Sequence, residues 1–424
     1  MSRKSTLSRS TFRTAEPVTP VTPKGRSRRA GTARAPAVAV TVAACAITYA
    51  VPATAAGGAE PVVSRGVTIP DFYTPPTKLP AANGALIRHE PLPLGLGIPG
   101  LDGRPMPGTA TRLMYRSTDS NGQPVAVTGA YIEPSAAWKR GGPRPLMAVA
   151  SGTMGQGDQC APSMALQYPL TLNGETVSVG YESLAIYRLL AAGTAVVVTD
   201  YVGLGTTDRL HTYVNRVDEG HALLDAARAA HAVPGASLTA GSRTGLYGYS
   251  QGGGASASAA ELQCVGDAIL GYGFAKSSKW TNSGASIGDV IAAEPRAQAA
   301  LDKQRIGNLK PAGPVRLATG VQDDIVPHGQ ARQLAVDWCR RGADITYDAV
   351  ILPNLGDKLL TNHVVPLITD QGNAISWLTD RLAGRPATSN CWSMPIQPCP
   401  GCPAPGGEPG AVQYREVVVD HRAA

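Results

Sequence analysis

Leu246-Tyr247-Gly248-Tyr249-Ser250-Gln251-Gly252-Gly253-Gly254-Ala255 is the stretch that decides how this chain is read. An apolar pair leads into a glycine-flanked serine, and an alanine-rich run leads out toward Leu262. The pattern predicts strand, tight turn, helix, the setting that a G-x-S-x-G nucleophile elbow needs. So tight a turn forces Ser250 into strained backbone, and only glycines two positions to either side avoid a clash. It lifts the Ser250 hydroxyl off the sheet edge and aims the next backbone N–H groups at an incoming carbonyl. A second match, Gly284-Ala285-Ser286-Ile287-Gly288, follows the polar run Lys276-Ser277-Ser278-Lys279-Trp280-Thr281-Asn282. No buried strand can be built from that run, so Ser286 reads as a loop serine.

On either side of the elbow, apolar runs alternate with helical ones. Residues 111–117 and 125–132, with Asn121-Gly122 between them, predict a hairpin. Strands are then expected at 146–150, 195–199, 315–320 and 346–351, and helices at 181–192, 219–231, 330–341 and 365–382. An opening hairpin followed by β-α alternation predicts an α/β fold on a mostly parallel, doubly wound sheet. Its runs of Val and Leu suit strands buried on both faces. Residues 57–108 read as an irregular N-terminal arm and 109–384 as the catalytic domain. Residues 385–424, with seven prolines and four glycines, read as a Pro/Gly/Cys-rich tail that packs poorly.

A serine hydroxyl needs a base, nearly always histidine, to become a nucleophile. Of the seven histidines, His363 stands in Thr361-Asn362-His363, a predicted loop between the last strand and the last helix. The order Ser, Asp, His is that of the elbow-bearing hydrolases. Asp323 and Asp324 leave the carboxyl end of the 315–320 strand, where such sheets build their sites. Asp323 is the favoured partner of His363, with Asp324 as the alternative, since a one-residue shift in the turn would exchange them. For the oxyanion, the backbone N–H of Gln251 is one expected donor. Asp200, after the 195–199 strand, is a candidate for the second if a dry site keeps it protonated.

The formal charge of +7 is carried by the start of the chain. Residues 1–34 hold nine Lys/Arg against one acid, which leaves 29 basic and 30 acidic residues, a net of −1. A neutral body implies no nucleic-acid surface. The basic start, the apolar stretch 35–50 and the small residues 53–56 read as a signal peptide over 1–56. The apolar stretch is too short for a membrane span. Without Cys45 six cysteines are left, an even count that favours disulfides in an exported chain. Cys399-Pro400-Gly401-Cys402 has no second C-x-x-C or histidine pair near it, so no metal site is expected.

Taken together, Gly248–Gly254, Cys160-Ala161-Pro162-Ser163, Thr199-Asp200-Tyr201-Val202-Gly203, Asp323-Asp324-Ile325-Val326-Pro327, Asn362-His363 and Asp71-Phe72-Tyr73-Thr74-Pro75-Pro76 resemble the secretory lipase family, lipase A-like α/β-hydrolases of fungi and actinomycetes. The resemblance runs from about residue 70 to 395. It implies a triacylglycerol or carboxylic-ester hydrolase with Ser250, Asp323 and His363 as triad, Gln251 and Asp200 at the oxyanion, and no cofactor. It also implies a lipid or ester substrate, transient contact with a lipid interface, and Cys339–Cys391 and Cys160–Cys264 disulfides.

The chain departs from the family after the nucleophile helix, where relatives carry one more core strand and most of a helical cap. Only 73 positions separate Ser250 from Asp323, which leaves a reduced cap at about 264–310. Either Asp267-Ala268-Ile269-Leu270-Gly271-Tyr272 replaces the missing strand, or the sheet has a gap beside the nucleophile. Should the gap persist, the alternative is a degenerate, non-catalytic lipase-like secreted protein. In an active enzyme a halved cap leaves acyl methylenes wet at roughly 0.8 kcal/mol each. Each wet pair then forfeits on the order of tenfold in kcat/KM. Short and medium acyl esters are therefore expected to outperform long ones in a series from acetate to palmitate, and a steady rise to palmitate would contradict this.

Overall fold

Nine strands make the central sheet of this computed structural model, which describes residues 61–99, 105–172, 176–261, 287–302, 304–323, 325–354, 361–394 and 417–421. In chain order they are β1 (Leu86–Leu92), β2 (Gly108–Thr118), β3 (Pro124–Pro134), β4 (Leu146–Ala150), β5 (Ala195–Thr199), β6 (Thr244–Gly248), β7 (Val315–Gly320), β8 (Ile345–Val350) and β9 (Val417–His421). In space they run β8-β7-β9-β6-β4-β5-β3-β2-β1. β4 pairs parallel with both β5 and β6, and β7 pairs parallel with β8. The β1–β2–β3 edge is antiparallel, as is its junction with β5. The sheet is thus mixed, with the elbow at the end of its parallel β5–β4–β6 segment. The chain divides after Gly58, and all described residues belong to Ala59–Ala424.

Strands β4, β5, β6 and β7 are buried along their whole length, because alternate residues serve two cores. On one face Met147, Val149, Val196, Val198 and Tyr247 meet helices α2 (Ser183–Ala191) and α8 (Thr361–Leu382). On the other, Leu146, Ala148, Val197, Leu246 and Leu317 meet α3 (Arg216–Ala230), α4 (Gln251–Glu261) and α7 (His328–Arg340). Helices on both faces make the sheet doubly wound. A short helix, α1 (Pro162–Gln167), caps the loop after β4, and within the region expected to be a reduced cap two short helices are described, α5 (Ile287–Ala292) and α6 (Pro295–Asp302). Among the described residues no helix is long and apolar enough to cross a membrane.

Two segments differ from the sequence reading. The arm supplies β1, which pairs antiparallel along β2 at the edge of the sheet. Its Pro91 and charged Arg88 and Glu90 hide the strand signal, yet an edge strand tolerates them. The tail supplies β9, whose backbone pairs antiparallel with β6 on one side and β7 on the other. A valine run behind a proline-rich stretch thereby fills the place expected to be a gap. Asp267–Tyr272, the expected substitute, lies outside the described residues. The start of the tail also packs, since Asn390 N–H donates to Ile345 O at 3.0 Å and Asn390 Oδ1 accepts from Tyr347 N–H at 2.8 Å.

Two ties hold the β7–β8–α8 corner. Arg316 of β7, 4% exposed, donates to both carboxylate oxygens of Asp370 on α8 at 2.6 and 2.7 Å. Its Nε lies 2.8 Å from Asp348 Oδ2. Cys160, expected to pair with Cys264, carries a free thiol, and Cys264 itself lies outside the described residues; Cys339 at the end of α7 is bonded to Cys391, 52 residues on. Loop-closure entropy for a ring of that size is worth about 4 kcal/mol. Cys339→Ala with Cys391→Ala is expected to lower the free energy of unfolding in guanidinium by roughly that amount, and an unchanged midpoint would contradict it.

Candidate active site

Strand β6 ends at Gly248 and α4 begins at Gln251, so the chain reverses within Tyr249 and Ser250. Ser250 takes φ of 56°, a left-handed conformation that few non-glycine residues adopt. The flanking glycines are required by close approach. A Cβ on Gly248 would stand 2.0 Å from Gly252 O, and one on Gly252 would stand 1.9 Å from Ala150 O. The elbow is therefore pressed against the end of β4. As the first residue of α4, Gln251 has a backbone N–H without an intrahelical acceptor.

His363 stands on the first turn of α8, which starts at Thr361 and not at the expected 365. Its Nε2 lies 3.2 Å from Ser250 Oγ and its Nδ1 3.3 Å from Asp323 Oδ1. The Asp323 side chain is fully buried. The same Oδ1 accepts the backbone N–H groups of Ile325 and Val326, both at 2.8 Å, which fixes the carboxylate in the turn after β7. Asp324, the alternative, lies outside the described residues, as does Ser286. Tyr249 locks the histidine's backbone, donating its hydroxyl to His363 O at 2.5 Å with the two rings 5.2 Å apart. No local pattern signals that contact, which joins residues 114 positions apart.

Asp200 is placed elsewhere. It leaves the end of β5, two strands from β6, about 10 Å away at ordinary strand spacing. Its Oδ1 accepts Ser163 N–H at 2.7 Å and its Oδ2 the Ser163 hydroxyl at 2.5 Å. The Ser163 oxygen in turn lies 2.7 Å from Tyr73 OH. Burial pushes the Asp200 carboxyl up to about 6, against the pull of Ser163. Thus the 160–163, 199–203 and 71–76 motifs meet in a buried clasp of Ser163, Asp200 and Tyr73.

The parallel neighbour of β6 is β4, so the loop at residues 151–154, which leaves β4 at the same end, is the one that faces the elbow. Gly152 belongs there for want of space, since a Cβ would stand 2.5 Å from Tyr181 OH and 3.0 Å from Tyr249 O. Glu182 Oε1 accepts Gly152 N–H at 2.8 Å, and Tyr201 OH donates to Ser151 O at 2.6 Å. On the other flank Gln251 Nε2 donates to Glu219 Oε1 at 2.7 Å. Sequence reading overlooked both glutamates, and nothing short of the strand order would have found them. Among the described residues no group of three or more His, Cys, Asp or Glu is placed to hold a metal ion. Chemically, the constellation can deprotonate a serine and receive an oxyanion beside it.

A family model described as secretory lipase matches residues 166–264 and 261–390. Over 391 residues the chain is 26% identical to a probable inactive lipase of Mycobacterium tuberculosis, covering 75% of this chain and 83% of that protein. It is 24% identical over 406 residues to lipase A of Arthroderma benhamiae, covering 77% of this chain and 81% of the other. Among solved structures it shares its fold with the rice cell wall degrading esterase LipA of Xanthomonas oryzae. The TM-score is 0.51 at 18% identity, over 72% of this chain and all of that one.

Proposed function

We propose, from the premise that the chain belongs to the secretory lipase family, that it is an exported serine hydrolase of triacylglycerols or other carboxylic esters. The observation that carries this reading is the continuous line from Ser250 Oγ through His363 to Asp323 Oδ1. Ser250 attacks the ester carbonyl while His363 Nε2 takes its proton. Asp323 holds the imidazole through Nδ1–H and stabilises the imidazolium. The tetrahedral intermediate's oxyanion is received by Gln251 N–H and by a backbone N–H of the 151–154 loop; Asp200, held on Ser163, takes no part. Collapse expels the alcohol, which leaves protonated by His363. Water, deprotonated by the same histidine, then frees the acid from Ser250. The chemistry is nucleophilic and acid–base throughout, so no cofactor enters.

A lipid surface as the place of action is supported by the hairpin between α1 and α2. Leu170 pairs with Val179 and Leu172 with Val177 across its two strands. All four are more than half exposed, between 53% and 75%, and their cross-strand pairing puts them on one face. That hairpin runs directly into Tyr181 and Glu182, which hold the 151–154 loop. Export is supported by the signal-like residues 1–56 and by the family.

The second reading, a degenerate lipase-like protein without activity, is motivated by the short Ser250–Asp323 interval and by the inactive designation of the mycobacterial relative. Hydrolysis of p-nitrophenyl esters separates the two. Ser250→Ala is expected to lower kcat by on the order of 10⁵-fold or more. A folded wild type with no hydrolysis above the Ser250→Ala level would favour the degenerate protein.

A further inference from the structure

Two buried glutamates remain outside the triad, one on each side of the elbow. Glu219 of α3 is fully buried, and its Oε1 accepts both Gln251 Nε2 at 2.7 Å and Val214 N–H at 2.9 Å. Val214 holds φ of 60°, costly for a β-branched residue, so this contact maintains a conformation the chain would not adopt alone. Glu182, 5% exposed, accepts Gly152 N–H on the opposite side. Each glutamate uses one oxygen only. The other, Oε2 in both, is buried with no hydrogen-bond partner among the described residues.

We propose that Glu219 and Glu182 are positioning residues that set the two walls of the oxyanion pocket, Glu219 through Gln251 and Glu182 through Gly152. This rests on the esterase reading above. The Gln251 side chain is tethered to α3, which orients the peptide whose N–H faces the developing oxyanion. The Gly152 N–H is tied back into the protein, which turns the following peptides of the 151–154 loop toward the elbow. Tyr201 braces the same loop through Ser151 O, and Tyr181 OH donates to Thr153 O at 3.1 Å.

Both carboxyls act in their neutral form. An ionised buried carboxylate ordinarily takes donors on both oxygens, and here Oε2 of each glutamate is left without one among the described residues. Burial, the largest cause, pushes Glu182 up to about 7 and Glu219 up to about 8. Around Glu219, Arg216 and Gln251 pull downward while Asp218 pushes upward. The phenols of Tyr201 and Tyr181 face Glu182, and Tyr201 also faces Glu219. The sign is that of a raised acid. The contribution to the folded state is whole below the usual glutamate range and is lost as pH climbs through the folded values. As the glutamates ionise, the buried charge pulls at the walls it should hold. A descending limb of kcat across about pH 7 to 8 is the consequence.

The test is the full-length enzyme with Glu219→Gln, Glu219→Ala, Glu182→Gln and Glu182→Ala, assayed on a soluble short-chain ester from pH 5 to 10, with thermal unfolding recorded for each. The alanine variants are expected to lose on the order of 10- to 100-fold in kcat with little change in KM, short of the 10²–10³-fold for deleting an oxyanion donor outright. The glutamine variants keep the acceptor and cannot ionise. They are expected to rescue kcat at pH 7 and to move the descending limb to higher pH. Folded alanine variants with wild-type kcat would overturn the proposal, as would glutamine variants that keep the wild-type alkaline limb. If the alanine variants fail to fold, the glutamine arm decides alone. A wild type without esterase activity would remove the underlying reading and this inference with it, whereas an active wild type beside unaffected variants would remove only the inference.

Discussion

The backbone of Ser250 is the constraint on which the rest of the molecule depends. Its φ of 56° costs of order 1–3 kcal/mol, and the cost is sustained only because β6 and α4 are both buried around it. Gly252 lies so close to Ala150 O that the elbow and the end of β4 cannot move independently. That contact fixes which loop faces the serine. Small residues follow along α4, from Gly252 to Ala260, and let it pack closely on α3. The approach is close enough that a Cβ on Gly220 of α3 would stand 3.0 Å from Ala259 N.

His363 and Asp323 come from a different corner, and the fold has to keep that corner at hydrogen-bonding range of Ser250. Arg316 and Asp370 join β7 to α8 a little under two turns beyond His363. Breaking a buried pair of this kind typically costs 3–5 kcal/mol, because one charge is left uncompensated. Tyr249, the residue before Ser250, reaches across to His363 O and so couples the two corners directly. β9 pairs with β6 and β7 between those corners, so the backbone groups that a gap would leave open are hydrogen bonded.

What the amino-acid sequence revealed, and what it hid, follows from the range of the interactions. The elbow was legible because its glycines answer a local steric demand. Ser250, Asp323 and His363 could be chosen because each sits at the end of a recognisable strand or just before a helix. Asp200 drew attention as an acid after a strong strand, but strand order is a tertiary property. Two parallel strands follow the opening hairpin before the elbow, and only the sheet shows that β4, not β5, lies beside β6. β1 and β9 were hidden for another reason: proline, glycine and charge around short β-branched runs are what edge strands and tails share. Glu182 and Glu219 gave no signal, since a glutamate within a helix or at its start usually marks a solvated face.

The central claim is that Ser250, held in this conformation, is a nucleophile activated by His363. The most direct measurement is the mass of the intact protein after reaction with a fluorophosphonate, followed by mapping of the labelled peptide. The account predicts one phosphonyl adduct, on Ser250, formed far more slowly once His363 is replaced by alanine. A folded protein that takes no label, or takes it at the same rate with and without His363, would contradict it.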